Sequence, residues 1–448
     1  MSASTESTTA TVSHWTREHV SKFSATADNT FPTFDLSEIK VFMNGFDIWD
    51  SWLALDEQGN VASICGNHVL CALGKSSWGT YQKAHIFYFY SQDGRSFAVG
   101  DTLLPELLVK DGQEWSGSTL LRSDGKVQTF YTVATGCVRE GIWQTSQRLA
   151  TAIQTPSINE LGALVFTAPE YHHMLLSPDG TYYQTVDQAD DAELQAPTQH
   201  NHAIGDDQVN NLCFRDPFFF KDPSTQKAYL LFEANTGTQY APEGVVLRDY
   251  IGSDDAEPHY QPTVDDLKAN GCVGIAEFTD QHYTQVRLLP PLLTTNLVTD
   301  EVERITLLHR DNSYYLFFVT HGNKMTVAGD AYTNRDLLVG FKASSLFGPY
   351  SPLNDSGIVL QQKSEGQMYN GQDTNTQYVY SWTVLPDLSV LCYSNFSSDG
   401  EGQPIKRKSV GPCAQLAFDG MRTKVTGISY PFVPAPVEEE EYDDDDDD

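Results

Sequence analysis

Apolar and polar positions along this chain form short runs that suit strands, each introduced by a turn. The repeated unit is a turn rich in Asp, Gly or Asn, followed by β-branched and aromatic residues. It recurs five times, at 58–61, 124–131, 227–232, 312–318 and 387–393. Apolar residues at helical spacing are scarce, so the pattern predicts an all-β protein.

Five recurrences of the unit, about 65 to 100 residues apart, predict a single five-bladed β-propeller with a central active-site funnel. A pair of β-sandwiches is the competing architecture, because the spacing is irregular. In a propeller the inner strands of separate blades converge on one axis, so side chains distant in sequence can meet there. We expect the propeller over residues 13–433, with a loop near the funnel mouth at 236–270.

The two ends of the chain and its charge carry separate information. Residues 1–12 are expected to be flexible, and 434–448 to form a disordered acidic tail. The net charge is −32, of which ten units come from the acidic residues at 438–441 and 443–448. Such a surface repels nucleic acid and anionic membranes and suits a neutral substrate such as a sugar. No apolar run approaches the roughly 20 residues of a membrane span.

Seven cysteines are dispersed along the chain, without a C-x-x-C pair. They predict neither a metal cluster nor a disulfide framework. Cys213 and Cys392 lie in apolar runs and are expected to be buried.

Three acidic motifs carry most of the chemical information: Trp49-Asp50-Ser51-Trp52, Phe214-Arg215-Asp216-Pro217 and Asp300-Glu301-Val302-Glu303-Arg304. Each sets carboxylates beside aromatic or arginine side chains. Cleavage of a glycosidic bond needs an ionised carboxylate at the anomeric carbon and a protonated carboxyl that delivers a proton to the leaving oxygen. The motifs therefore indicate a sugar-processing enzyme.

Each motif also has a purely structural interpretation. Asp50 is either a nucleophile beside the apolar wall of a pocket or a turn residue beside core tryptophans. Arg215 and Asp216 form either a sugar-binding fork and acceptor or an ion pair at a strand end. Glu301 and Glu303 would share one face of a strand, where crowding raises a pKa, unless they belong to a solvated acidic loop.

Two weaker signals lie elsewhere in the chain. Trp115 and Ser116 offer an aromatic platform and a hydroxyl that can bond a carboxylate. His321 follows an apolar run and precedes a glycine, a place where pocket residues collect at strand ends. A lone histidine at such a place is more often structural.

These residues resemble those of a known family. The three motifs, together with Glu114-Trp115-Ser116-Gly117 and Phe232-Glu233-Ala234-Asn235-Thr236-Gly237, occur in the order seen in glycoside hydrolase family 68. This is the family of levansucrases, inulosucrases and related β-fructofuranosidases. The resemblance spans residues 14 to 430, with further matches at 14–17, 288–292 and 380–381.

The resemblance implies a five-bladed β-propeller that acts on sucrose with net retention. Asp50 would be the nucleophile, Asp216 the transition-state stabiliser, and Glu303 the general acid and base. The sucrose site would be lined by Trp49, Trp115, Ser116, Arg215, Glu301, Arg304, His321 and Tyr380. His321 occupies a position that holds Arg or His in the family and is associated with acceptor handling.

The chain departs from the family pattern at the calcium site. Gram-positive members bind a structural Ca²⁺, and Asp300 matches one of its ligands. Asn210 and Asn211, however, stand where an Asp would be expected. We therefore predict no cofactor, since a calcium site in this chain would lack one of its expected ligands.

The first thirty residues contain no apolar signal-peptide core. We expect an extracellular protein without a recognisable cleaved leader, and a cytoplasmic location stays open.

Three functions are compatible with these features. The leading one is a sucrose-dependent fructosyltransferase that transfers fructose to fructan or oligosaccharide acceptors, with some hydrolysis. A predominantly hydrolytic β-fructofuranosidase would use the same covalent intermediate. A non-catalytic carbohydrate-binding propeller would keep the aromatic platforms, but it has no need for a nucleophile, a stabiliser and an acid together.

Overall fold

Strands dominate the structure, a computed structural model that describes residues 12–76, 81–139, 142–189, 212–240, 248–253, 255–327, 329, 332–363 and 375–436. Five sheets of five strands each account for most of them. The sheets are arranged as five blades around one axis, which confirms the predicted five-bladed β-propeller and removes the β-sandwich alternative.

The inner strand of each blade lines the axis. In chain order these strands are Phe46–Leu53 (blade I), Gln113–Leu121 (blade II), Phe214–Lys221 (blade III), Glu303–Arg310 (blade IV) and Val379–Val384 (blade V). Each inner strand contacts the next one along the chain, and that of blade V contacts that of blade I, so the ring is closed.

The remaining strands extend each blade outward, mostly by antiparallel pairing. Blade I adds His68–Ser76, His85–Ser91, Ser96–Thr102 and Val433–Pro434, and blade II adds Val127–Arg139, Ile142–Gln154 and Tyr171–Leu176, with Leu55–Asp56 parallel to its inner strand. Blade III adds Ala228–Asn235, Gly271–Phe278, Val286–Thr294 and Ser13–His14. Blade IV adds Ser313–His321, Arg335–Ala343, Ser351–Pro352 and Ile358–Lys363, and blade V adds Ser389–Ser394, Ser409–Val410, Cys413–Asp419 and Arg422–Ser429.

The small elements complete the described part of the chain. Two short hairpins pair Pro156–Ile158 with Leu164–Phe166, and Ser397–Ser398 with Pro404–Ile405. The α-helices are Arg17–Ser21, Val186–Ala189, Arg248–Ile251 and Val264–Leu267, and the 3-10 helices are Ala27–Asn29, Leu36–Glu38 and Gly322–Lys324. Among the described residues, no helix reaches the length and apolarity that a membrane crossing needs.

Both ends of the described chain attach to outer strands. Ser13–His14 pairs in parallel with Val286–Thr294 of blade III, and Val433–Pro434 pairs in parallel with Ser96–Thr102 of blade I. Pro434, which the sequence assigned to the tail, therefore lies in a strand. Residues 1–11 and 437–448 lie outside the described residues, so the flexible start and the acidic tail stay predictions.

Four of the five sequence repeats coincide with the second strand of a blade. The repeats at 124–131, 227–232, 312–318 and 387–393 lead into the second strands of blades II to V. The repeat at 58–61 was misplaced: it forms a turn with an isolated bridge, and the second strand of blade I begins at His68. The turn at 58–61 looked like a strand entry because its polar residues precede a β-branched one.

The apolar core lies between neighbouring sheets rather than at the axis. Trp15 and Trp382 are fully buried in two of the clusters that fill these spaces. Burying a large apolar side chain stabilises the fold by about 1.5–3 kcal/mol. Cys213 and Cys392 are buried as predicted. Both are free thiols, as are Cys65, Cys71, Cys272 and Cys413.

All five inner strands are irregular at corresponding positions. The pairing register shifts between Trp49 and Ser51, Trp115 and Gly117, Arg215 and Phe218, Glu303 and Thr306, and Tyr380 and Thr383. A β-bulge of this kind bends the strand and redirects a side chain. The predicted site residues lie at or beside these five positions, except Glu301 in the preceding loop and His321 at the end of the second strand of blade IV.

Gly117→Ala should destabilise the propeller at the blade II bulge. A Cβ at Gly117 would lie 1.9 Å from the carbonyl oxygen of Phe130, a backbone atom that cannot turn aside. Overpacking costs about 1–3 kcal/mol, and a backbone clash belongs at or above the upper end. Urea unfolding should report this loss in the free energy of unfolding.

Gly427→Ala is the matched control, because a Cβ there meets no atom within 4 Å. We expect a change within about 0.5 kcal/mol. Equal unfolding free energies for the two variants would contradict the close approach of the strands at Gly117.

Candidate active site

The bulges turn the candidate side chains toward the propeller axis. Asp50, Asp216 and Arg304 have φ values of +36°, +56° and +55°, in the left-handed region that non-glycine residues rarely adopt. Strained backbone of this type persists where the surrounding structure holds it, and it is common at functional sites. Three of the five inner strands thus place a charged residue at such a point.

Asp50 is held by a hydroxyl from the neighbouring blade. Ser116, itself buried, donates from Oγ to Asp50 Oδ2 over 2.7 Å. Trp49 and Trp115, the residues that precede them, are half-buried at the same level. The hydrogen bond from Ser116 orients the carboxylate through Oδ2 and leaves Oδ1 available. This geometry suits a nucleophile.

Asp216 is a buried acceptor. Its Oδ2 accepts the backbone N–H of Arg304 over 3.1 Å, and its own N–H donates to Thr132 Oγ1 over 3.0 Å. Burial raises the pKa of Asp216 to about 6, against the opposing charges of Arg304 and Arg215. The carboxylate is therefore ionised above about pH 6 and can accept hydrogen bonds from sugar hydroxyls.

Glu303 is bound by one cation and one phenol. Arg215 Nη2 donates to Oε1 over 2.8 Å, and the Tyr380 hydroxyl donates to Oε2 over 2.6 Å. Burial and the charge of Glu301 raise the pKa of Glu303, while Arg215 and His321 lower it. The side chain of Glu303 is 21% exposed. A partly buried carboxyl under such opposing influences can give up and take back a proton.

Arg215 is itself fixed from behind by Glu233. Arg215 Nε donates to Glu233 Oε2 over 2.7 Å, and Glu233 Oε1 accepts the N–H of Val302 over 2.9 Å. Glu233 is fully buried, and this burial raises its pKa. Sequence reasoning missed Glu233. The signal was its place directly opposite Arg215 on the paired strand, which is visible only once the register is known.

Arg304 braces the ring of blades. Its Nη2 donates to the carbonyl of Ser51 over 2.9 Å and to Thr383 Oγ1 over 3.1 Å, and its guanidinium lies 5.6 Å from the ring of Trp52. These contacts join blade IV to blades I and V. Nη2 of this side chain, which was predicted to line the substrate site, thus bonds protein groups, and the backbone N–H of Arg304 bonds Asp216.

Glu301 and His321 lie beside the acid. The strand of blade IV begins at Glu303, so Glu301 belongs to the preceding loop and not to the strand assumed from the sequence. His321 donates its backbone N–H to Glu301 Oε1 over 3.0 Å, and its ring stacks on Tyr380 at 4.2 Å. Glu301 and Glu303 therefore lie close together, with carboxylate oxygens within 4.8 Å, although only Glu303 belongs to the strand.

Carboxylates surround the ring of His321. Burial lowers its pKa, but the carboxylates of Asp336, Glu301 and Glu303 outweigh burial and raise the pKa of His321 to about 10. Asp336 was not predicted from the sequence. It follows a loop and precedes an apolar run, a context that carries no chemical signal.

The group Glu301, Glu303 and His321 has ligand atoms within 4.8 Å of one another, as a metal site would. In this structure the oxygens of Glu303 accept hydrogen bonds from Arg215 and Tyr380, and His321 Nδ1 is bonded to Asp336. For the calcium site, residues 210 and 211 lie outside the described residues. The prediction on calcium therefore stays untested.

A small cavity lies beside two of the site residues. A cavity of about 30 Å³ lies between Asp216 and Arg304 on one side and Leu53, Phe218 and Leu385 on the other. A space of this size holds no more than about two water molecules. A sugar-sized substrate does not fit in this cavity.

Glu114 is a buried acid next to the site. It is 1% exposed, and its Oε2 accepts the N–H of Ile86 in blade I over 2.9 Å. Burial raises the pKa of Glu114 to about 8. The residue is thus a neutral carboxyl at the interface of blades I and II, immediately before Trp115.

Comparison with known proteins gives a consistent result. A sequence model described as levansucrase/invertase matches residues 4–430. The chain is 32% identical to a levansucrase of Bacillus amyloliquefaciens, over 92% of this chain and 88% of that protein. It is 30% identical to an extracellular sucrase of Zymomonas mobilis, over 94% and 95% respectively. A crystal structure of Bacillus subtilis levansucrase with oligosaccharides superposes with a TM-score of 0.78 at 27% identity, over 95% of this chain and 98% of that one.

Glu114→Gln should remove a pH dependence of stability. The pKa of Glu114 is about 8 in the folded protein and near the ordinary 4.5 when unfolded. The folded state keeps a proton that the unfolded state releases, so stability is full below pH 4.5 and declines as the pH rises toward 8. Glutamine stays neutral. Urea unfolding should give the free energy of unfolding of variant and wild type at each pH. The difference, variant minus wild type, should increase by an amount on the order of a few kcal/mol from acidic to alkaline pH.

Glu277→Gln provides the control of opposite sign. Hydrogen bonding by Lys227 lowers the pKa of Glu277, so its contribution is present at high pH and lost on acidification. Its replacement should cost less than about 1 kcal/mol, and only at the higher pH. A Glu114→Gln difference that is the same at pH 5 and pH 8 would rule out a neutral Glu114.

Proposed function

This chain belongs to glycoside hydrolase family 68, the levansucrase/invertase family, and we propose that Asp50, Asp216 and Glu303 perform its reaction. The protein is a sucrose-using fructosyltransferase of this family. One observation carries the assignment of residues: the carboxylates of Asp50 and Glu303, from blades I and IV, lie close enough to Asp216 of blade III to raise its pKa. Hydrogen bonds through Ser116, Thr132, Arg304 and Arg215 link the strands that carry them.

The first half of the reaction uses Asp50 and Glu303. An oxygen of Asp50 attacks the anomeric carbon of the fructosyl unit, and the bond from that carbon to the glucosyl oxygen breaks. Glu303 transfers its proton to the departing oxygen, so glucose leaves as a neutral molecule and fructose stays esterified to Asp50. A protonated Glu303 requires the raised pKa that burial and Glu301 supply.

The second half reverses the roles. Glu303, now ionised, takes the proton of an acceptor hydroxyl while that oxygen attacks the anomeric carbon. The ester bond to Asp50 breaks, and the carboxylate is restored. Two inversions at one carbon give net retention.

The remaining residues stabilise charge and orientation. Asp216 is placed to accept hydrogen bonds from fructosyl hydroxyls while positive charge develops on the ring. Arg215 is positioned by Glu233 and orients Glu303. Trp49 and Trp115 offer apolar faces for the sugar. Glu301, His321 and Tyr380 lie on the side of Glu303, where the glucosyl unit or the acceptor would bind.

The balance between transfer and hydrolysis distinguishes the two enzymatic alternatives. Both share the fructosyl intermediate, and only the acceptor differs. Incubation with sucrose, with glucose and fructose measured separately, tests them: excess glucose indicates transfer to a fructan or oligosaccharide, and equal amounts indicate hydrolysis. Absence of both products would favour a non-catalytic carbohydrate-binding propeller.

The location that best suits this function is extracellular. The relative from Zymomonas mobilis is named an extracellular sucrase. The net charge of −32 supports a protein that stays apart from nucleic acid and from anionic membranes.

Glu303→Gln should lower kcat by about 10²- to 10⁴-fold, because general acid catalysis is lost while the shape of the site is kept. The dissociation constant for sucrose, measured by calorimetry, should change little. Glu170→Gln is the control, since Glu170 is an exposed glutamate beside blade II. A Glu303→Gln enzyme with the turnover of wild type would remove Glu303 from its role.

A further inference from the structure

We propose that Asp336 is a positioning residue that holds His321 as a permanent cation, so that His321 meets the leaving glucosyl unit or the acceptor as a charged donor. The inference rests on the proposed function, because it concerns the sugar on the acid side of that same site. It assigns a task to a buried carboxylate that the mechanism above does not use.

Asp336 is buried and its carboxylate is held by hydrogen bonds at both oxygens. It is fully buried in the strand Arg335–Ala343, directly opposite His321 in the register of the two strands. Its Oδ1 lies 2.6 Å from His321 Nδ1, and its Oδ2 accepts the hydroxyl of Tyr378 over 2.8 Å. Both oxygens of Asp336 are engaged. The carboxylate therefore holds the ring at a single angle.

The imidazole is confined on its other sides as well. One face of the His321 ring stacks on Tyr380 with an interplanar angle of 15°, and Tyr380 in turn donates to Glu303. The second ring nitrogen, Nε2, lies 4.0 Å from Glu301 Oε1, which is beyond hydrogen-bond distance. The side chain is 26% exposed. Nε2–H is thus the donor that remains available to a sugar hydroxyl.

The charged groups around the ring favour its cationic form. Asp336 faces it from the adjacent strand, Glu301 from the preceding loop and Glu303 from the inner strand of blade IV. Blade V contributes the neutral hydroxyls of Tyr378 and Tyr380. Burial disfavours the cation, but the three carboxylates outweigh burial and raise the pKa to about 10. Asp336 is the one carboxylate among them in direct contact with the ring.

A permanent cation at this point has two consequences for the reaction. The charge of His321 lowers the pKa of Glu303 and so opposes burial and Glu301, which raise it. It also supplies a charge-assisted hydrogen bond, which is stronger than a neutral one. With Asp336 in place, His321 carries a permanent positive charge, as an arginine does.

The first test needs no substitution in the measured protein. Protein labelled with ¹⁵N-histidine is titrated by NMR, and the ring signals of His321 are assigned by their loss in His321→Arg. Both ring nitrogens should remain protonated from pH 6 to pH 8. A His321 that titrates with an ordinary midpoint near 6.5 would overturn the proposal, whatever the activity of the protein.

The second test uses Asp336→Asn. Without the carboxylate, His321 should lose its proton within about pH 6 to 8, the range of an ordinary imidazole. The value of kcat/KM for sucrose, relative to wild type, should then fall by about tenfold between pH 5 and pH 8, as loss of one charge-assisted bond predicts. In His321→Arg/Asp336→Asn the cation no longer titrates, so this pH-dependent loss should disappear.

Asp222→Asn is the matched control. Asp222 is also buried and accepts a tyrosine hydroxyl, that of Tyr314, over 2.6 Å, but it contacts no histidine of the site. Its replacement should lower stability without adding a pH-dependent step. A loss in Asp336→Asn that is equal at all pH values would show a merely structural role and refute the proposal. Failure of wild type to cleave sucrose would instead refute the proposed function, and the NMR titration would still report on His321.

Discussion

The structure depends on a ring of hydrogen bonds around the propeller axis. Ser116 joins blade II to Asp50 of blade I, the backbone of Arg304 joins blade IV to Asp216 of blade III, and the guanidinium of Arg304 reaches blades I and V. Arg215 of blade III and Tyr380 of blade V donate hydrogen bonds to Glu303 of blade IV. The groups assigned to catalysis therefore also hold the five inner strands together, and the bulges are what bring them to one level.

This arrangement solves an electrostatic problem. Carboxylates brought together away from water repel one another and resist ionisation. Arg215, Arg304 and His321 each lie against at least one of them, so the charges are balanced locally. The two acids have different neighbours. Asp216 accepts a backbone N–H and lies near two arginines, while Glu303 lies near a second carboxylate, that of Glu301. Two chemically similar acids can thus perform different tasks in one site.

Much of the fold and part of the site could be predicted from the sequence. Four of five turn-and-strand repeats marked the second strands of blades, because alternation and turn residues are local signals. The repeat at 58–61 failed because a turn followed by Val61 looks the same whether or not a strand follows. Glu233 and Asp336 escaped prediction, since their importance comes from lying opposite Arg215 and His321 on paired strands.

Sequence alone determined the all-β class and the acidic motifs, because strand periodicity, turn chemistry and residue type are local properties of the chain. The number of blades followed from the family resemblance, since only four of the five repeats mark a blade. Tertiary structure decided which carboxylates lie together, which of them have raised pKa values, and which arginine bonds Glu303 and which links the blades. Those properties depend on burial and on distances between residues hundreds of positions apart. No local pattern encodes them, since a pKa is set by neighbours in space and not by neighbours in sequence.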